Sequence, residues 1–101
     1  MAKFIILTKG MRAVVDDEDY EKLNKYDWYF HETRSTSYAA RYDYSNGIRK
    51  LIYMHRLVLL GEDRLDTGLP VDHISRNTID NRRCNLREVT VAANNRNRKF
   101  N

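Results

Sequence analysis

Residues 71–98 constrain this chain more than any other stretch. Val71-Asp72-His73 follows Pro70 as a short apolar entry into an Asp-His pair. A polar loop comes next, and Leu86 and Val89 mark a brief apolar return to Thr90, which can cap a last helix. The pattern reads strand, loop, strand, helix. It places Asp72 and His73 on the first strand and Asn94 one turn inside the helix, able to point back at the hairpin.

A carboxylate from Asp72 and an amide oxygen from Asn94, facing one point from opposite elements, suit a hard divalent cation such as Mg²⁺ or Mn²⁺. Asn95 competes for the same role but lies about 100° further round a helix. His73 is next to Asp72, so on a regular strand the two side chains leave on opposite faces. They act together only where the strand end twists or bulges.

This segment resembles the HNH nucleases, in the phage and intron-associated branch whose last motif residue is Asn. His73, Asn85 and Asn94 occupy the three motif positions, within Val71-Asp72-His73 and Asp80-Asn81-Arg82-Arg83-Cys84-Asn85-Leu86-Arg87. Met54-His55-Arg56-Leu57-Val58 is similar to the helix usually found ahead of them, and Val14-Val15-Asp16-Asp17-Glu18-Asp19-Tyr20 looks like the N-terminal portion, so the resemblance covers most of the chain. It implies an α+β fold: a small single domain in which an antiparallel β-meander packs against a ββα-metal (His-Me finger) motif. Residues 1–53 are expected to form a β-rich subregion with one short helix, and residues 54–101 the nuclease motif. The resemblance makes His73 the general base and gives Asn85 the task of tying the loop together and so fixing His73, which sets these two as the catalytic pair. Asp72 and Asn94 hold one cation, and the partner is double-stranded DNA. A phage-encoded protein in the cytoplasm of a bacterial host is implied as well.

Composition agrees with one soluble domain. The chain has 101 residues, 42% hydrophobic and 32% charged, enough for a single small core and against wholesale disorder. Net charge is +4, and its distribution says more than its total. Residues 81–101 hold Arg82, Arg83, Arg87, Arg96, Arg98 and Lys99 against Glu88 alone, so positive charge concentrates beside the proposed metal site. Cys84 is the only cysteine, which excludes an internal disulfide and a paired-cysteine zinc knuckle within the chain. Phe4-Ile5-Ile6-Leu7 is too short for a signal peptide's apolar region or a membrane span, which leaves a reducing cytoplasm and no membrane partner as expectations.

Ahead of the motif, residues 4–7 are expected to pair with Ala13-Val14-Val15 across Lys9-Gly10. Asp16 can cap a short helix whose first turn is acidic and whose Tyr20 and Leu23 share a face. A solvated helix start outweighs metal binding as the account of that acidic run. Residues 28–31, 37–44 and 48–53 read as a three-stranded meander, with Asn46-Gly47 as a hairpin turn. Alternation puts Tyr38, Ala40, Tyr42 and Tyr44 on one face and Ala39, Arg41 and Asp43 on the other. Packing against Trp28 and the helices outweighs base stacking as the tyrosines' role. Residues 54–60 look like a helix stopped by Gly61. His55 reads first as a hydrogen-bonded structural residue, Asp80 as the start of an Asx turn rather than a ligand, and His31 has no evident partner.

The chemistry expected is phosphodiester hydrolysis. A neutral imidazole, with an ordinary pKa of about 6.5, takes a proton from water. The cation stabilises charge that develops as the bond breaks. Arg41, Arg49, Lys50, Arg56, Arg76, Arg82, Arg83, Arg87, Arg96 and Arg98 are the candidate DNA contacts, with Arg34 a further one on the meander. Two other classes compete: a DNA-binding module that keeps the fold without turnover, and a metal protein without a nucleic-acid partner. No apolar patch marks a dimer face, so a monomer or weak homodimer is expected.

Overall fold

A computed structural model describes residues 2–44, 47–67 and 70–89, the side chains of Asp66 and Thr67 excepted. The expected final helix from Thr90, with Asn94, Asn95, Arg96 and Arg98, lies outside the described residues, and so does Asn46.

The chain begins with the expected hairpin. Strands β1 (Ala2–Ile6) and β2 (Arg12–Asp16) pair antiparallel, with Phe4 opposite Val14. The turn between them needs left-handed backbone, supplied by Lys9 at φ 61° and Gly10 at φ 71°. Ile5, Ala13 and Val15 are buried, while Phe4 and Ile6 remain exposed on the other face.

Helix α1 (Asp17–Leu23) follows directly, with Asp17, Glu18 and Asp19 at its positive end. Asp16 stands at the cap position but does not cap with its side chain. Its carboxylate accepts instead from the Arg83 backbone N–H at 2.8 Å, a partner far along the chain that local pattern does not reveal. At the other end of α1, the Trp28 indole donates to the Leu23 carbonyl at 2.8 Å and satisfies one of the helix's last free acceptors.

The meander forms as read. Strands β3 (Tyr29–Glu32), β4 (Ser37–Asp43) and β5 (Lys50–Tyr53) lie in that order, antiparallel throughout. Tyr29 and Tyr53 flank Ala40 from either side. Helix α2 (Met54–Leu60) starts where β5 ends and stops at Gly61, whose φ of 74° turns the chain out. A 3-10 segment (Glu62–Thr67) leads on to β6 (Val71–His73), which pairs antiparallel with β7 (Leu86–Glu88). A short 3-10 turn (Arg83–Asn85) precedes β7.

One core joins these pieces. Ile5, Leu7, Ala13, Val15, Leu23, Trp28, Ala39, Ile52, Met54, Val58 and Leu86 form a single buried cluster drawn from the hairpin, both helices, the meander and β7. The result is a small α+β domain with antiparallel sheets and, among the described residues, two α-helices. None of those helices is long and apolar enough to cross a membrane.

Candidate functional site

Strand β6 is regular, and the period of two separates its two chemical residues. Asp72 pairs across to Arg87 and His73 to Leu86. The Asp72 side chain is half-exposed and accepts from Arg87 Nη2 at 2.7 Å, while the imidazole of His73 turns inward and is only 6% exposed. No twist or bulge in β6 brings the two together. Of the expected set, the described residues therefore show Asp72 on the outer face and His73 on the inner face, with Asn94 beyond them.

His73 is held by a residue that sequence reasoning passed over. Its Nε2 lies 2.8 Å from Oδ1 of Asn81, which is fully buried. An amide oxygen only accepts, so Nε2 carries the proton and the lone pair of the neutral ring falls on Nδ1. The position of Asn81 is itself fixed from the N-terminal hairpin. Its backbone N–H donates to the Val14 carbonyl at 2.7 Å, and the Val14 N–H donates to the Ile79 carbonyl at 2.9 Å. Strand β2 thus borrows the 79–81 segment as a partner, through a parallel bridge between Val14 and Asp80.

Asn85 ties the loop together at both ends of its side chain. Its Oδ1 accepts from the Ser75 N–H at 2.9 Å, and its Nδ2 donates to the Asp80 carbonyl at 2.8 Å. Its backbone carbonyl accepts from the Ile74 N–H at 2.8 Å. The loop of residues 74–85 is closed around this one buried amide. A turn just after β6 leaves Arg76 at φ 68°, with its N–H on the His73 carbonyl at 3.0 Å.

Asp80 opens the Asx turn expected of it, accepting weakly from the Arg82 N–H at 3.4 Å. It also takes both arms of the Arg82 guanidinium, at 2.8 Å and 2.7 Å, and this pairing holds its carboxyl below the usual carboxylate range. Arg83 reaches back to Asp19 in the same bidentate way, at 3.0 Å and 2.7 Å. Asp16, Glu18 and Asp19 form the one acidic group among the described residues whose ligand atoms lie close enough for a cation. Asp19, however, is buried against Arg83, so the acidic run is less solvated than a free helix start and works as an anchor for the loop.

The remaining candidate cations are distributed widely. Arg41 projects to the core side of the meander, its guanidinium 3.8 Å from the centre of the Tyr26 ring. Arg49 lies 4.7 Å over Tyr42, and Arg56 donates to the Leu65 carbonyl at 3.1 Å.

His55 sits beside His73 with 4.6 Å between ring centroids, and Tyr38 stacks on it at 5.2 Å. The expected hydrogen bond is missing: His55 Nδ1 is buried without a partner. Burial, aided by His73 and Arg56, pushes its pKa down to about 3, so the ring stays neutral. His31 also has partners after all, the rings of Tyr29 at 5.7 Å and Tyr53 at 6.1 Å.

Of the expected cation ligands, the described residues show Asp72 alone, with one carboxylate oxygen beside the one that Arg87 already holds. A cleft of about 430 Å³ between α1 and α2 is lined by Asp19, Tyr26, Val58 and Glu62 among others, and His73 is not part of it. In comparisons with known proteins, the chain matches no family model, no curated protein and no solved structure, so its own residues carry the functional reading.

Proposed function

We propose that this protein is a metal-dependent DNA endonuclease of the HNH kind, with a ββα-metal hairpin built on β6 and β7. The observation that carries the reading is the Asn81–His73 bond. It aims an amide oxygen at Nε2, which favours the tautomer whose lone pair is on Nδ1. A base held in this way accepts the proton of an attacking water, an effect typically of about 10²–10⁴-fold. Asn85 supports it by closing the loop that carries Asn81.

Asp72 and Asn94 are the residues that would hold one Mg²⁺ or Mn²⁺, and an ion there would supply positive charge to a phosphate oxygen. Because Asp72 leaves β6 on the face opposite His73 and is held by Arg87, this use of Asp72 requires the Arg87 pair to open. The chain's own work is to orient His73, to leave Nδ1 as the accepting nitrogen, and to bring phosphates in with cations such as Arg76 and Arg87 near the hairpin. Supercoiled plasmid incubated with each divalent metal, against the same reaction in EDTA, tests the reading. Nicked or linear product that needs the metal supports it.

A second reading is binding without turnover. The specific observation in its favour is that His73 is 6% exposed while Asp72 is engaged by Arg87 on the far face of the strand. DNA bound with no product in any metal decides for it.

A further inference from the structure

The two faces of the meander have different fates. Ala39 and Ile52 are buried in the core, and Phe30 packs against the same cluster. The opposite face carries Tyr29 and His31 from β3, Tyr38 and Tyr42 from β4, and Tyr53 from β5, and none of the four tyrosines joins the core. The sequence favoured half-buried packing against Trp28 and the helices for these tyrosines. They are half-buried, but chiefly on one another, with Tyr38 and Tyr53 also meeting His55 of α2.

Their rings form an unbroken series. Tyr42 stacks on Tyr29 at 5.7 Å, Tyr29 meets His31 at 5.7 Å, His31 meets Tyr53 at 6.1 Å, and Tyr53 meets Tyr38 at 5.4 Å. Tyr38 then stacks on His55, which touches His73. Tyr38 and Tyr42 are four residues apart on one strand, so the platform extends about 13 Å along β4.

An aromatic series that lies outside the core and stays partly open to solvent offers an interaction surface. Its charge favours a polyanion: by strand alternation Glu32, Arg41, Asp43 and Lys50 all lie on the core side of the meander, which leaves the Arg49 guanidinium as the charged group placed over the rings. The Arg49 guanidinium lies over Tyr42 at the far end of the series, where cation and ring offer a stacking surface and a phosphate contact together.

We propose that this face is a stacking platform for unpaired nucleic-acid bases, and that the preferred partner is a single-stranded or locally unwound strand whose backbone runs from Arg49 toward His73. The proposal rests on the nuclease reading for its direction along the sheet, but not for the binding itself. A duplex keeps its bases stacked on each other and presents no ring faces to such a surface, whereas an open strand presents one per nucleotide.

The test is binding by the full chain in EDTA, so that cleavage plays no part. Three labelled probes of equal length are compared: an oligothymidine, the same strand with abasic sites, and a duplex. Base stacking predicts that oligothymidine binds at least about tenfold tighter than the abasic strand, at the same salt dependence, and tighter than the duplex. Tyr42→Leu lowers oligothymidine binding without changing abasic binding, and Tyr42→Phe restores it. Equal affinity for the abasic strand, an equal or tighter duplex, or no binding of any probe overturns the proposal. Strand binding without metal-dependent cleavage leaves this proposal standing and removes the nuclease; duplex cleavage with equal abasic binding does the reverse.

Discussion

The amide oxygen of Asn81 and Nε2 of His73 meet at 2.8 Å inside the protein, and the bond joins a loop anchored on the N-terminal hairpin to the strand that carries His73. Removing it leaves a buried ring nitrogen without an acceptor. Asn81→Ala is expected to lower stability by about 1–3 kcal/mol. It should also lower the cleavage rate by about 10–100-fold, the usual cost of losing a residue that orients a functional one. The loss belongs in kcat rather than KM, because Asn81 is fully buried and does not meet DNA. Chemical melts and steady-state nicking rates check both parts.

His55 makes stability depend on pH. Its ring has an ordinary value near 6.5 when the chain is unfolded and about 3 when folded. Above the higher value the imidazole is neutral in both states and contributes no slope. Below it the unfolded chain binds a proton that the folded chain refuses, so stability falls with decreasing pH, by at most about 1.4 kcal/mol per unit, and the fall ends near the lower value. Urea unfolding at about pH 7 and about pH 5 should show this loss, and His55→Gln should show less of it. An unchanged slope in the variant contradicts the assignment.

The Arg83–Asp19 pair is asymmetric. The Asp19 side chain is 7% exposed and that of Arg83 48% exposed, so each deletion leaves a differently solvated charge. Arg83→Ala strands a buried carboxylate and should cost about 1–3 kcal/mol. Asp19→Ala leaves a guanidinium that water reaches, and should cost less. Because Arg83 is engaged by Asp19, its removal is expected to leave the salt dependence of DNA binding unchanged. Denaturant melts of the two variants, with binding titrations at several salt concentrations, test the pair.

Arg76 holds a left-handed conformation at φ 68° in the turn after His73. A side chain there costs on the order of 1 kcal/mol, which glycine avoids. Arg76→Gly is expected to raise the melting temperature by a few degrees while weakening DNA binding, since the cation near the hairpin is lost. A lower melting temperature contradicts the strain at this position, and unchanged affinity assigns the residue no role in binding.

What the sequence made legible was local. The Lys9-Gly10 turn, the stop at Gly61 and the meander each depend on residues within a few positions of one another, and they formed where expected. Asn85 was also readable, because its resemblance to a loop-tying residue matches its two bonds to Ser75 and Asp80. Asn81 was not. Three asparagines, Asn77, Asn81 and Asn85, lie within one short loop, and the choice of which one reaches His73 depends on β2 drawing the 79–81 backbone against Val14. The Asp19–Arg83 pair spans 64 positions and leaves no periodic trace. The aromatic face was visible as alternation along β4, but that alternation does not say which face the core takes.

The central claim is that His73 activates water for phosphodiester cleavage. Supercoiled plasmid with wild-type protein and with His73→Ala, each in Mg²⁺, Mn²⁺ and EDTA, tests it most directly, with DNA binding followed in parallel. Metal-dependent nicking by the wild type, and binding without nicking by His73→Ala, is the predicted result. Full nicking by His73→Ala contradicts it.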